Sequence, residues 1–163
     1  MIVRHLTRQT ARSVYNYGFF KFMFYKFLYM LFQPKKTKYK KSRKGKVSNL
    51  NFKSNSLTFG TLGLKAIESG LISSRQLEAA RQSINRKIKR KGKIWIRVFP
   101  SIPVTSKPVA VRMGKGKGSV SHWVARVGSG TVIFELCGIS KFVAKSALTT
   151  GSAKLPLKTK IIF

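Results

Sequence analysis

Only three side chains in this sequence carry a negative charge, Glu68, Glu78 and Glu135, against 34 lysines and arginines. Over 163 residues the formal net charge is +31. A chain so basic repels itself unless a polyanion lies against it, which leaves nucleic acid and an anionic membrane surface as candidate partners. The same imbalance excludes most acid–base, glycosidic and hard-metal chemistry, which needs carboxylates at close quarters. One cysteine, Cys137, and two histidines, His5 and His122, cannot build a structural zinc site. A lone cysteine forms no internal disulfide, and Cys137 reads as a small buried apolar residue. His122, beside Trp123 in a strand-like stretch, reads as structural rather than as the base of a nuclease. No enzyme activity, metal or cofactor is therefore expected. The chain is nonetheless 43% hydrophobic and 12% aromatic, unlike a disordered basic tail. Its length fits one domain, so the expectation is a compact α/β body with basic extensions.

Three regions differ in composition. Residues 1–33 form an extension in which Arg4, Arg8 and Arg12 lie among hydroxyls without an acid, the composition of a mitochondrial transit peptide. From Tyr15 to Phe32 it becomes aromatic. Lys21 and Lys26 interrupt this run, so a basic aromatic helix lying on a surface is expected rather than a transmembrane span. Residues 34–54 are a basic arm carrying Lys35, Lys36, Lys38, Lys40, Lys41, Arg43, Lys44 and Lys46. Like charges cannot pack by themselves, so the arm should order where phosphates neutralise it. Residues 55–163 hold the regular pattern. A short strand and turn span 55–65. Ser73 followed by Gln76 is a capping box, and Leu77, Ala80, Ile84 and Ile88 recur on one helical face. Gly92 is the stop.

Lys93 to Phe99 then alternates as a strand, with Ile94, Ile96 and Val98 on one side and Trp95, Arg97 and Phe99 on the other. Pro100, Pro103 and Pro108 mark a long connection. Further strands are expected at Val109–Arg112, Val120–Val127 and Thr131–Leu136, the last two joined by a Gly128-Ser129-Gly130 hairpin turn. Ser140 should cap a second helix with Phe142, Val143, Ala147 and Leu148 inward, and Leu155–Phe163 reads as a last strand. Trp95, Phe99 and Trp123 are expected in the core rather than on bases. Between two strand-like segments lies Arg112-Met113-Gly114-Lys115-Gly116-Lys117-Gly118. Alternating Gly and Lys brings charge and bare backbone N–H groups to phosphates without Cβ atoms in the way. Its spacing matches neither a Walker loop nor a dinucleotide fingerprint.

Two long stretches carry a family resemblance. Lys89-Arg90-Lys91-Gly92-Lys93-Ile94-Trp95-Ile96-Arg97-Val98-Phe99-Pro100 resembles the first signature of the L-sixteen family of large-subunit ribosomal proteins. Arg112 to Gly118, with Trp123 following, resembles the second. Gln33 to Tyr39 is similar to the family's amino-terminal arm, and Phe59 to Ala66, Arg75 to Arg81 and Ala153 to Thr159 also match in order. The resemblance covers about residues 30–163. It implies an α+β fold, a sandwich of mostly antiparallel strands with two helices. It further implies a structural, non-enzymatic role among large-subunit rRNA helices and neighbouring ribosomal proteins, near the aminoacyl-tRNA site.

Carried over, Arg112, Met113, Gly114, Lys115, Gly116, Lys117 and Gly118 would form a tRNA-proximal loop facing the peptidyl-transferase region. In bacterial relatives the arginine matching Arg112 can be hydroxylated. The expected rRNA contacts are Lys35, Lys36, Lys38, Lys40, Lys41, Arg43 and Lys44 in the arm, with Arg75, Arg86, Lys87, Lys89, Arg90 and Lys93 beyond it. Such contacts position a protein without reading sequence. Residues 1–29 have no counterpart in bacterial relatives, and Phe32 is an insertion. Cys137 and Lys141 or Lys145 stand where the family often has acids. These departures suit an organellar ribosome, mitochondrial by the extension, with a plastid ribosome as the alternative. A rival reading is a cationic membrane-surface protein acting through residues 4–32.

Overall fold

Leu77, Ala80, Ile84 and Ile88 are all buried in the computed structural model, lining one side of helix α1, Ser74–Lys87, and its C-cap. The structure describes residues 32–47 and 50–163; the expectations for residues 1–31 lie outside the described residues. The capping box forms as its spacing requires. The Ser73 hydroxyl accepts from the Gln76 N–H at 3.3 Å, and the Gln76 side chain accepts from the Ser73 N–H at 2.9 Å. At the other end the chain reverses through three positive φ values, 53° at Lys89, 61° at Arg90 and 76° at Gly92.

Seven strands accompany two helices among the described residues. They are β1 (Leu62–Ala66), β2 (Gly70–Ser73), β3 (Lys93–Ile96), β4 (Ile102–Ser106), β5 (Ser119–Val127), β6 (Val132–Cys137) and β7 (Thr159–Ile162), with α2 at Lys141–Ser152. Two antiparallel sheets result, one ordered β3-β6-β1-β7 and the other β2-β5-β4. The core joins Leu62 and Leu64 of β1, Phe134 and Leu136 of β6, the apolar stripe of α1, and Ala144, Ala147 and Leu148 of α2. Ile72, Ala125 and Val127 bring in the smaller sheet. The helices approach closely at Gly151, where a Cβ would stand 2.5 Å from Cγ1 of Ile84. This is the α+β architecture that the family resemblance implied.

Several elements depart from the pattern of the sequence. The proline-marked connection contains β4, with Pro103 buried in it opposite Trp123. β4 is an edge strand, where a missing N–H breaks no ladder on the open side. Short β2 lacks an alternation long enough to read. Val109–Arg112 is no strand; it is exposed and belongs to the Gly-Lys loop. Gly128-Ser129-Gly130 is no hairpin turn, because β5 and β6 lie in different sheets and the glycines carry the chain between them. The strands begun at Lys93 and ending near Phe163 are shorter, Lys93–Ile96 and Thr159–Ile162. On α2, Ala144 and Gly151 face inward while Phe142, 85% exposed, and Val143 face out. Ser140 occupies the N-cap position without a side-chain cap bond. Cys137 is half-buried rather than buried.

The outer face of the larger sheet is covered by residues 51–61, which run across it as a strap. Gly63 of β1 has no Cβ, and Leu57 fills that space. The Val132 N–H donates to the Ser54 carbonyl at 3.0 Å and the Thr61 N–H to the Leu136 carbonyl at 2.9 Å. Beneath the strap lies Glu135, 0% exposed. Its carboxylate accepts from the N–H groups of Phe59 at 2.7 Å, Gly60 at 2.8 Å and Thr58 at 3.3 Å, and pairs with the Arg97 guanidinium. Burial pushes this carboxyl up, but Arg97 and then the three strap N–H groups outweigh burial and hold it below the usual carboxylate range.

Candidate nucleic-acid interface

The arm has no regular secondary structure from Lys35 to Lys46, and every cation in it is exposed. Its backbone is nevertheless tied to the body. Lys117 of the Gly-Lys loop donates to the Ser42 carbonyl at 2.5 Å, and Lys41 of the arm donates to the Lys117 carbonyl at 2.7 Å. Arg126 on β5 donates to the Lys44 carbonyl, and the Ser69 hydroxyl to the Val47 carbonyl at 2.8 Å. Gly45, at φ +66°, lets the backbone pass the Arg126 guanidinium. So Lys41, Arg43 and Lys44 share one surface with the loop, and Lys35, Lys36, Lys38 and Lys40 precede them along the exposed arm.

The loop itself turns through left-handed conformations at Gly114, Lys115 and Gly116. Lys107 closes its base by donating to the Gly114 carbonyl at 2.6 Å. Arg112, Met113, Gly114, Lys115, Gly116 and Lys117 are all exposed, Met113 at 94%, and Gly118 packs against the Ser106 carbonyl. A Cβ at Gly114 or Gly116 would meet nothing within 4 Å, so these glycines serve backbone conformation and outside approach rather than packing.

A second basic group sits at the end of α1. Arg81, Gln82, Asn85, Arg86, Lys89 and Arg90 line an open groove of about 450 Å³. Lys87 is exposed in the same last turn, where cations suit the helix dipole. Arg75 is exposed at the opposite end of α1, and Lys93 opens β3 with its ammonium 5.1 Å from the Trp95 ring centre. Among the described residues no hydrogen bond joins this group to the arm and loop.

Comparison with known proteins decides the family. The sequence model of the family described as Ribosomal protein L16p/L10e matches residues 34–162. The chain is 51% identical over 132 residues to the large ribosomal subunit protein uL16 of Hyphomonas neptunium, covering 81% of this chain and 96% of that one. It is 53% identical, with the same coverage, to the protein of that name from Bartonella henselae. The chain belongs to the ribosomal protein L16p/L10e family.

Within this L16p/L10e chain, sequence reasoning overlooked three residues of the interface. Arg126 and Lys107 hold the arm and the loop, but each is one more cation among 34. Glu135 fixes the strap; as one of only three acids, and in an apolar strand, its rarity was the available signal. Phe99, expected in the core, is 50% exposed, while Trp95 and Trp123 are half-buried.

Proposed function

We propose that this chain is a structural constituent of a large ribosomal subunit, not an enzyme, and binds large-subunit rRNA by phosphate contacts. The observation that carries the reading is the pair of ties, Lys41 to the Lys117 carbonyl and Lys117 to the Ser42 carbonyl, which joins arm and loop into one exposed cationic surface. In this reading residues 34–54 act as the rRNA-binding arm and residues 55–163 as the L-sixteen-type body. The arm, Arg75, the α1 end from Arg86 to Arg90, and Lys93 neutralise rRNA phosphates. Each neutralised phosphate releases counterions, so about eight contacts would lose roughly a thousandfold or more in affinity over a fourfold rise in salt. Arg112 to Gly118 lies toward tRNA at the aminoacyl site. The relatives named above are called large ribosomal subunit proteins, which supports the large-subunit part of this reading.

The ribosome we propose is mitochondrial, a reading supported by the arginine- and hydroxyl-rich composition of the extension, with the plastid as the alternative. The test is sedimentation of tagged full-length chain from organelle lysate at low and high salt, with sequencing of the bound RNA. Co-sedimentation with mitochondrial large-subunit rRNA through moderate salt is expected. Recovery with membranes, indifferent to RNase, would overturn the ribosomal reading in favour of a surface protein acting through residues 4–32. The loop assignment is separable: Lys115→Ala should leave subunit incorporation intact and weaken tRNA accommodation.

A further inference from the structure

The edge strand β3 presents a surface that phosphate binding alone does not use. Ile94 and Ile96 pack on the core, so Lys93, Trp95 and Arg97 stand on the opposite face, and Phe99 continues the series past the strand end. Phe59 of the strap lies on Trp95 with ring centres 6.1 Å apart and planes 21° from parallel. Lys93 sits over the Trp95 ring and Arg97 over the Phe59 ring at 5.5 Å. Phe59 is 57% exposed, and so is half of Phe99. The result is a cluster of aromatic rings with cations alongside, and Phe59 keeps a side open to solvent.

Two properties make this a binding surface rather than stray exposure. First, it is held rigid. Glu135 accepts the Phe59 N–H at 2.7 Å and grips Arg97, which also donates to the Thr58 hydroxyl at 3.0 Å. A ring whose backbone is fixed beforehand has less freedom to lose when a ligand covers it. Second, its charge has one sign. The carboxylate beneath it is fully buried and paired, leaving Lys93 and the aromatic quadrupoles to meet the ligand. A duplex offers its phosphates and grooves but keeps its base faces stacked, whereas an unpaired nucleotide offers a base face and a phosphate together.

Resting on the rRNA-binding reading above, we infer that the Phe59–Trp95 pair with Lys93 is a stacking site for an unpaired base of single-stranded RNA. The base lies on the exposed side of Phe59 and Lys93 takes the adjacent phosphate. Base–aromatic stacking of this kind is sequence-tolerant, and its loss on alanine substitution corresponds to about five- to 150-fold in affinity.

The test uses the full chain in a Trp123→Phe background, so that Trp95 alone reports by fluorescence, titrated with oligouridylate and with an RNA duplex of equal length. Oligouridylate should quench Trp95, and the duplex should bind with steep salt dependence without quenching. Phe59→Ala should weaken oligouridylate binding by the fold-change above and leave duplex affinity within about twofold. Phe59→Leu, which keeps apolar volume over Trp95, should reproduce that loss without unfolding the strap. Equal losses on both RNAs would overturn the stacking site. Duplex binding without any quenching by oligouridylate would also overturn it, leaving the phosphate reading standing and this face to a protein neighbour. Failure to bind either RNA would remove both readings.

Discussion

Replacing Glu135 with glutamine tests whether one buried carboxylate holds the strap and the exposed aromatic pair in place. The side chain is 0% exposed and serves four donors, the Arg97 guanidinium and the N–H groups of Thr58, Phe59 and Gly60. Glutamine has the same shape, but its amide nitrogen turns a donor toward other donors. Removing one partner of a buried ion pair costs about 3–5 kcal/mol. Arg97 keeps 16% of its side chain in water, which places the expected loss at the lower end, about 3 kcal/mol. With a urea slope of about 2 kcal/mol per molar, the midpoint should fall by roughly 1.5 M. Urea titration at pH 7 followed by tryptophan emission is the assay, since Trp95 is the cross-strand neighbour of Glu135. The pH dependence supplies a second reading. A carboxyl held below its unfolded value stabilises the fold fully above the unfolded pKa of about 4.3 and loses that contribution as pH falls through the lower folded value. The gap between wild type and Glu135→Gln should therefore be widest at neutral pH, begin to narrow as pH falls past the unfolded value of about 4.3, and close only below the lower folded value. A midpoint shift under about 0.5 M, or a gap unchanged at low pH, would refute the reasoning.

Other outcomes follow from single contacts. Gly92→Ala forces a Cβ into a left-handed backbone and to within 2.5 Å of the Cys137 carbonyl, and should cost about 2–3 kcal/mol in thermal unfolding; a loss under 1 would show that the β3 entry relaxes freely. Lys89→Gly relieves a non-glycine residue at φ 53° and should raise stability by up to about 1 kcal/mol, while weakening RNA affinity and shallowing its salt slope by about one. Lys117→Ala removes the donor to the Ser42 carbonyl, so amides of residues 40–44 should exchange hydrogen faster than in Lys115→Ala; equal exchange in both would show that the tie does not hold the arm.

Local chemistry made half of this fold readable. The Ser73–Gln76 box and the four-residue apolar spacing of α1 are properties of neighbouring residues, and both appear as the spacing required. The failures are tertiary. Gly128-Ser129-Gly130 has the composition of a hairpin, but whether flanking strands pair depends on sheets assembled from distant segments, and β5 chose β2 and β4. Pro103 signalled a connection because an interior strand cannot lack a donor, whereas an edge strand can. Phe142 was misplaced because the α2 stripe is built from small residues, Ala144, Ala147 and Gly151, that let α1 approach. At the interface, the cationic positions and the Gly-Lys loop were legible as composition. Their union was not, since it depends on lysines donating to backbone carbonyls some 75 residues away.

Those carbonyl clamps bear on how so basic a chain keeps its surface potential while folding. All three acids are engaged: Glu135 with Arg97, Glu78 with Arg81 and Glu68 with Lys158. With carboxylates exhausted, the arm and loop are fastened instead by Lys41, Lys107, Lys117 and Arg126 donating to neutral carbonyls. An ion pair would cancel charge at the place where the proposed function has phosphates bind, but a carbonyl clamp holds the backbone and leaves the cation its full charge. An ammonium has three donors, so a lysine bound to one carbonyl still offers others to a phosphate. Phosphate binding therefore need not break the arm–loop tie, and arm and loop can meet the polyanion as one preassembled surface rather than as a tail that orders afterwards.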